Sequence, residues 1–255
     1  MPIRSLVFGA ILFVASGLSL QAGATFYAVS FDNGAFGTID PFTGIFNQIG
    51  SALSGQAHDL TVASNGTVYA VVGTNLDTID KVTGVATIIG AVPTGLQSLA
   101  FRSDGTLFGA SYTDLFTVNP STANATDLGA LGLGAGVNAD NIRFGGSTLY
   151  VMSAETNSRL FTLNQTTGAA TLVGASGVDD ISLGAFLGGT FYGTNQLGGV
   201  TDHIVSVVPA TGAATEGATT NDIYVFALDP TSVPEPSTLL LIGAGCALLP
   251  LRRRK

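Results

Sequence analysis

The sequence contains no tryptophan and a single cysteine, and only nine of its 255 residues are lysine or arginine. One cysteine cannot close an intrachain disulfide, so stability has to come from packing. Cysteine-based zinc sites are excluded by the same count. Charged residues make up only 10% of the chain, too few to solvate the outer faces of long surface helices. The two histidines, His58 and His203, each adjoin an aspartate (Asp59 and Asp202). Neighbours along a strand point to opposite faces, so adjacency makes no catalytic dyad, and both histidines read as surface or turn residues. HExxH, a GxSxG elbow, a P-loop and an EF-hand loop are missing as well. The expectation is a non-catalytic protein without a cofactor.

Basic charge is scarcer still in the body of the chain. Arg4, Arg252, Arg253, Arg254 and Lys255 sit at the ends, which leaves Lys81, Arg102, Arg143 and Arg159 between residues 25 and 233. Sixteen acidic groups lie in the same span, for a net charge of −12. Such a surface repels phosphate backbones and anionic lipid, so no nucleic-acid partner is expected. Cations and neutral glycans remain compatible with it.

What the sequence has in abundance is glycine, 34 residues, and a repeat. A Thr-apolar-aromatic step recurs at Thr25-Phe26-Tyr27, Thr67-Val68-Tyr69, Thr106-Leu107-Phe108, Thr148-Leu149-Tyr150 and Thr190-Phe191-Tyr192. After each step come a second short strand, a turn (DPFTG, DKVTG, NPSTA, NQTTG, VPATG), a returning strand and a fourth strand. Asp or Asn at the start of such turns bonds the backbone ahead, and Gly at their end takes the left-handed conformation. Four short antiparallel strands per period of about forty residues are the blade of a β-propeller. The reading is an all-β, five-bladed propeller over residues 25–229. Its last strand, 222–228, supplies the missing inner strand of the first blade, a three-plus-one closure that leaves no open ring edge. The recurring Tyr27, Tyr69, Phe108, Tyr150 and Tyr192 are expected to pack between blades.

One constellation of polar residues emerges when the inner strands are aligned. Asp59, Ser98, Asn141, Asp180 and Asp222 take the same place in five successive units, which puts five oxygen-bearing side chains at a mouth of the central channel. Such a ring is a hard-cation site, with Ca²⁺ as its best fit. The plainer reading, which is preferred, is that short polar side chains bond backbone N–H groups there. If the ring holds a metal with an open position, a cation-dependent hydrolase of the lactonase or esterase kind becomes the alternative function.

Both ends carry processing signals. Arg4, the apolar run Leu6 to Leu20 and Ala22-Gly23-Ala24 have the layout of a secretory signal peptide over residues 1–24. Residues 230–236 form a linker that contains Pro234-Glu235-Pro236, and Ser237 to Leu251 are uncharged. As a helix this run is about 22 Å long, short against a hydrocarbon core of about 30 Å. Arg252, Arg253, Arg254 and Lys255 act as a stop-transfer signal that stays cytoplasmic. The order Pro-Glu-Pro, apolar helix, arginine cluster resembles the PEP-CTERM sorting signal of Gram-negative bacteria. That resemblance implies an exosortase partner, cleavage near Pro234-Glu235-Pro236, a transient inner-membrane hold through the C-terminal helix, and delivery to the cell surface. It also implies a biofilm or exopolysaccharide matrix, with a glycan or a matrix protein as partner. The body is similar to NHL- and WD40-like repeat propellers, though it lacks the WD dipeptide.

Overall fold

The structure, a computed structural model, describes residues 24–30, 33–195, 202–220, 223 and 225–232. Apart from Ala24, the expected signal peptide lies outside these residues, as do Asp222, the Pro-Glu-Pro motif and the C-terminal run. Twenty strands form five four-stranded antiparallel sheets. Blade 1 begins with β1 (Phe26–Val29), β2 (Phe36–Ile39) and β3 (Phe46–Gln48). Blade 2 is β4 (Ala57–Val62), β5 (Val68–Val72), β6 (Asn75–Ile79) and β7 (Ala86–Ala91). Blade 3 is β8 (Leu96–Phe101), β9 (Leu107–Ser111), β10 (Asp114–Val118) and β11 (Ala125–Ala130). Blade 4 is β12 (Asn138–Gly145), β13 (Thr148–Ala154), β14 (Arg159–Leu163) and β15 (Ala170–Ala175). Blade 5 is β16 (Ile181–Leu187), β17 (Thr190–Asn195), β18 (Asp202–Val207) and β19 (Ala214–Thr220). The last strand, β20 (Val225–Leu228), pairs with β1 in the register Phe26 to Leu228 and completes blade 1. This is the expected three-plus-one closure.

The inner strands β20, β4, β8, β12 and β16 contact one another in that order around the axis. Each sheet buries both faces against its neighbours, so apolar residues alternate between two seams and five separate clusters form the core. The recurring aromatics bridge these seams in turn. Tyr69 meets Phe101 edge-on at 5.2 Å, Phe108 meets Phe144 at 5.7 Å, Tyr150 meets Phe191 at 5.1 Å, and Tyr192 meets Phe42 at 5.6 Å. Lys81 of blade 2 lies 5.8 Å from the Tyr27 ring. Every blade thus places one aromatic against the next, as the repeat predicts.

The turns follow the sequence reading closely. The Asp40 carboxylate accepts from the Phe42 and Thr43 amides, and Asp80 does the same for Val82 and Thr83. Near the ends of the outer strands of blades 1 to 4, Ile-Gly, Leu-Gly or Val-Gly recurs for a different reason. At Gly50 and Gly84 the turn of blade 2 lies directly against the outer strand of blade 1: a Cβ on Gly84 would overlap the Ile49 carbonyl, and one on Gly50 would overlap that of Thr83. Backbone-to-backbone contact of this kind excludes any side chain.

One buried residue breaks the pattern. Asp77 stands where Phe116, Phe161 and Val205 stand in blades 3, 4 and 5, opposite Ala70, and it is only 3% exposed with one carboxylate oxygen unpartnered. Burial raises its pKa above the ordinary carboxylate value.

Two outcomes are expected. Gly84→Ala should lower stability by about 2 kcal/mol or more, because both the left-handed backbone and the Ile49 carbonyl resist a methyl group; urea unfolding measures this. For Asp77, a raised folded-state pKa means that its contribution is fullest below the unfolded value and is lost as pH rises through the folded one. The stability advantage of Asp77→Asn over the wild type should therefore grow from about pH 4 to about pH 7, as read from urea midpoints.

Candidate functional site

The centre of the ring is occupied by one side chain. Facing positions on the five inner strands are Thr61, Ala100, Arg143, Ala185 and Ala227, four short residues and one arginine. The short residues leave the axial space that the Arg143 guanidinium fills, and it is 5% exposed. Its Nε donates to the Gly184 carbonyl at 2.7 Å in blade 5. Nη1 donates to Leu99 O at 3.0 Å in blade 3 and to Ile142 O at 2.7 Å in its own blade. Nη2 reaches Leu60 O at 3.3 Å in blade 2. Both terminal nitrogens also engage the Asp59 carboxylate, Nη1 at 2.7 Å from Oδ2 and Nη2 on Oδ1, a two-pronged ion pair.

Asp59 is itself fully buried and saturated. Besides the guanidinium it accepts from the Leu60 amide at 2.7 Å, the Leu99 amide at 2.8 Å and the Ser98 hydroxyl at 2.7 Å. Ser98 Oγ in turn accepts from the Ile142 amide at 2.8 Å. A polar relay therefore runs from blade 2 to blade 3 to blade 4. At the next seam it stops, since both amide atoms of the fully buried Asn141 lack a hydrogen-bond partner.

The structure brings Asp59, Ser98 and Asn141 to one level of the ring, as the alignment expects, but not Asp180. A bulge at Gly184 adds a residue to β16, so the equivalent position is Ser182, whose hydroxyl donates to Asp140 at 2.6 Å. Asp180 precedes the strand by one residue, at a backbone φ of 49°. Burial, and then the neighbouring Asp179, raise its pKa. In blade 1 the place is taken by Val225, while Asp222 falls outside the described residues. Asp59 and Ser98 bond backbone N–H groups, in line with the plainer expectation, but they do so across to the next blade. Among the described residues no three His, Cys, Asp or Glu side chains come together to hold a metal. His58 and His203 both lie in strands, in blades 2 and 5, where turn or surface positions were expected. Burial lowers the His58 pKa, against a hydrogen bond donated to Gln97 and the charge of Asp59, which raise it.

Arg143 and Ser182 were missed by the sequence reading. Arg143 carried a signal, because it is the one long side chain in a column of Ala and Thr, yet it was counted only as charge. Ser182 also carried a signal, since it precedes Thr190 by eight residues, as Asp59 precedes Thr67 and Ser98 precedes Thr106.

Where the inner strands end, a funnel of about 350 Å³ opens above Arg143, with Phe101, Phe144 and Phe186 on its walls and Pro230 at its rim. The chain leaves the ring here. Asp229 accepts from Thr231 N at 2.9 Å and pairs with Lys81 Nζ at 2.9 Å. Burial pushes its pKa up, but the bonds from Thr231 and Lys81 outweigh this and hold it below the ordinary value.

Removing one partner of a buried, saturated ion pair leaves the other charge stranded. Asp59→Asn and Arg143→Met should each cost about 3–5 kcal/mol, and the double variant should fall short of their sum by more than about 1 kcal/mol in urea unfolding.

The fold is shared with solved structures of low sequence identity. A protein of unknown function from Bacteroides thetaiotaomicron VPI-5482 superposes with a TM-score of 0.56 at 14% identity, over 82% of this chain and 62% of that one. An auxiliary nutrient binding protein from Bacteroides ovatus ATCC 8483 gives 0.53 at 14% identity, over 84% and 65%. TolB from Acinetobacter baumannii gives 0.50 at 13%, over 78% and 54%. The chain thus spans between half and two thirds of these proteins. No protein of curated function matches the sequence. Residues 232–255 match the PEP-CTERM protein-sorting motif, which marks an exported cell-envelope protein processed by exosortase-type machinery. The chain is a five-bladed β-propeller that carries a PEP-CTERM sorting motif directly behind its ring-closing strand.

Proposed function

We propose that the protein is a non-catalytic component of the cell surface or of a biofilm or exopolysaccharide matrix, where the propeller binds a glycan or a matrix protein or serves as a structural module. The observation that carries this reading is the sorting motif at residues 232–255, which begins where the clasped end of the ring stops. In this reading the run from Ser237 to Leu251 holds the exported domain in the inner membrane, with Arg252, Arg253, Arg254 and Lys255 on the cytoplasmic side. An exosortase then cuts near Pro234-Glu235-Pro236. The ring is clasped to itself by Lys81–Asp229 and by β20–β1 pairing, so cleavage a few residues downstream leaves the propeller intact.

Two features favour a binding or structural role over the cation-dependent hydrolase. Asp59, the most buried carboxylate of the expected ring, is committed to Arg143 and three further donors. Asp180, a second candidate ligand, stands outside that level. A hydrolytic metal at this place would have to displace the guanidinium that ties four blades together.

Intact-mass analysis in an exosortase-bearing Gram-negative host tests the reading. Wild-type protein recovered from the cell surface should end near Pro-Glu-Pro, and replacing Pro234, Glu235 and Pro236 by alanine should leave an uncut chain in the membrane fraction. Uncut wild-type protein at the cell surface would contradict the proposal.

A further inference from the structure

The two faces of the propeller differ in charge and in apolarity, and the difference lines up with the chain's exit. Leu228, Val62 and Phe101 end their strands around the funnel and Phe144 stands one residue before the end of β12, so this face also carries the turns after β2, β6, β10, β14 and β18. Five of the eight exposed large apolar side chains described lie in those turns: Phe42, Ile45, Val82, Val85 and Val208. They belong to blades 1, 2 and 5, which are contiguous and centred on the blade whose inner strand leads out of the ring. The matching turns of blades 3 and 4 are polar, with Ser121 and Asn124 in one and Thr166 in the other. Lys81, next to Val82, holds Asp229, so these apolar tips directly flank the exit.

The opposite face carries the acid. Asp114, Asp140, Glu155, Asp179, Asp180 and Asp202 lie at that end of their strands or in its turns, against Arg159 alone among the basic groups. On the exit face, Asp40, Asp80, Asp104 and Asp229 are set against Lys81 and Arg102. Of the net charge of −12 that argues against contact with a lipid surface, the exit face therefore carries −2 and the opposite face −5.

Reach supplies the last constraint. Five residue steps separate Ser232, the last described residue, from Ser237, where the uncharged run begins, and a fully extended chain covers at most about 17 Å in that distance. A domain tethered so closely by its exit face cannot hold that face away from the bilayer.

We propose that, while the C-terminal run is inserted, the propeller lies with its exit face on the lipid surface, its apolar turn tips in the interfacial layer and its acidic face turned outward. This rests on the reading that residues 237–251 enter the membrane. Apolar side chains gain from the interfacial layer in proportion to the area they bury, and the short tether removes most of the cost of bringing them there.

The absence of tryptophan makes the test direct, since each introduced tryptophan is a sole reporter. Full-length Val82→Trp, Val85→Trp and, on the opposite face, Tyr112→Trp are reconstituted with vesicles of phosphatidylcholine brominated on its acyl chains. All three should float with the vesicles. Val82→Trp and Val85→Trp should shift to the blue and lose more than half of their emission to the bromines, while Tyr112→Trp should stay unquenched. Flotation with equal quenching at all three sites, or with none, would overturn the docking and leave the tail's insertion standing. Failure to float would overturn the insertion and the docking together.

Discussion

The ring depends on one guanidinium. Arg143 accepts no substitute of ordinary kind, because its planar fork bonds carbonyls in four blades while pairing with Asp59, and a lysine offers neither the plane nor the number of donors. Buried charge is costly unless every donor and acceptor is met. Here Asp59 is met by two backbone amides, a serine and the arginine, and the guanidinium by four carbonyls and the carboxylate. That saturation turns an expensive pair into a fastening at the axis, between blades whose seams are mainly apolar.

The rest of the architecture is arranged around this axis. Thr61, Ala100, Ala185 and Ala227 are small because the centre is already full. Farther out, aromatic bridges join each blade to the next, and at the rim glycines let turn backbone rest on strand backbone. Closure by β20 pairs the edge that β1 would otherwise leave open, which matters for a chain with no disulfide and few charges to guard its strands. The clasp of Asp229 by Lys81 and Thr231 then isolates the ring from whatever happens to the chain beyond residue 232.

Much of this was legible in the sequence. Blade number, strand order, turn chemistry and the three-plus-one closure follow from a periodic pattern of turn formers and aromatics, since local rules set them. The sorting motif is legible for the same reason: it is a contiguous string. The centre was only partly readable. Asp59, Ser98 and Asn141 align because each stands two residues before the axial position of its strand, but Asp180 stands five before Ala185; even with the residue that the bulge at Gly184 adds, that level falls on Ser182. Arg143 was hidden by its meaning: a lone arginine in an acidic domain reads as surface charge, and only assembly of five strands shows that it points into a space closed by alanines.

The functional consequence is a division of labour along the chain. The ring is self-contained and its axis is committed to stability, which leaves its faces for contact. The tail supplies the address. Native-state hydrogen exchange tests the axial fastening most directly. In the wild type the amides of Leu60, Leu99 and Ile142 should exchange only with global unfolding, and in Arg143→Met all three should lose protection together, although they sit in three blades. Loss confined to Ile142 and the rest of blade 4 would contradict the account, because it would make Arg143 a local residue of its own strand.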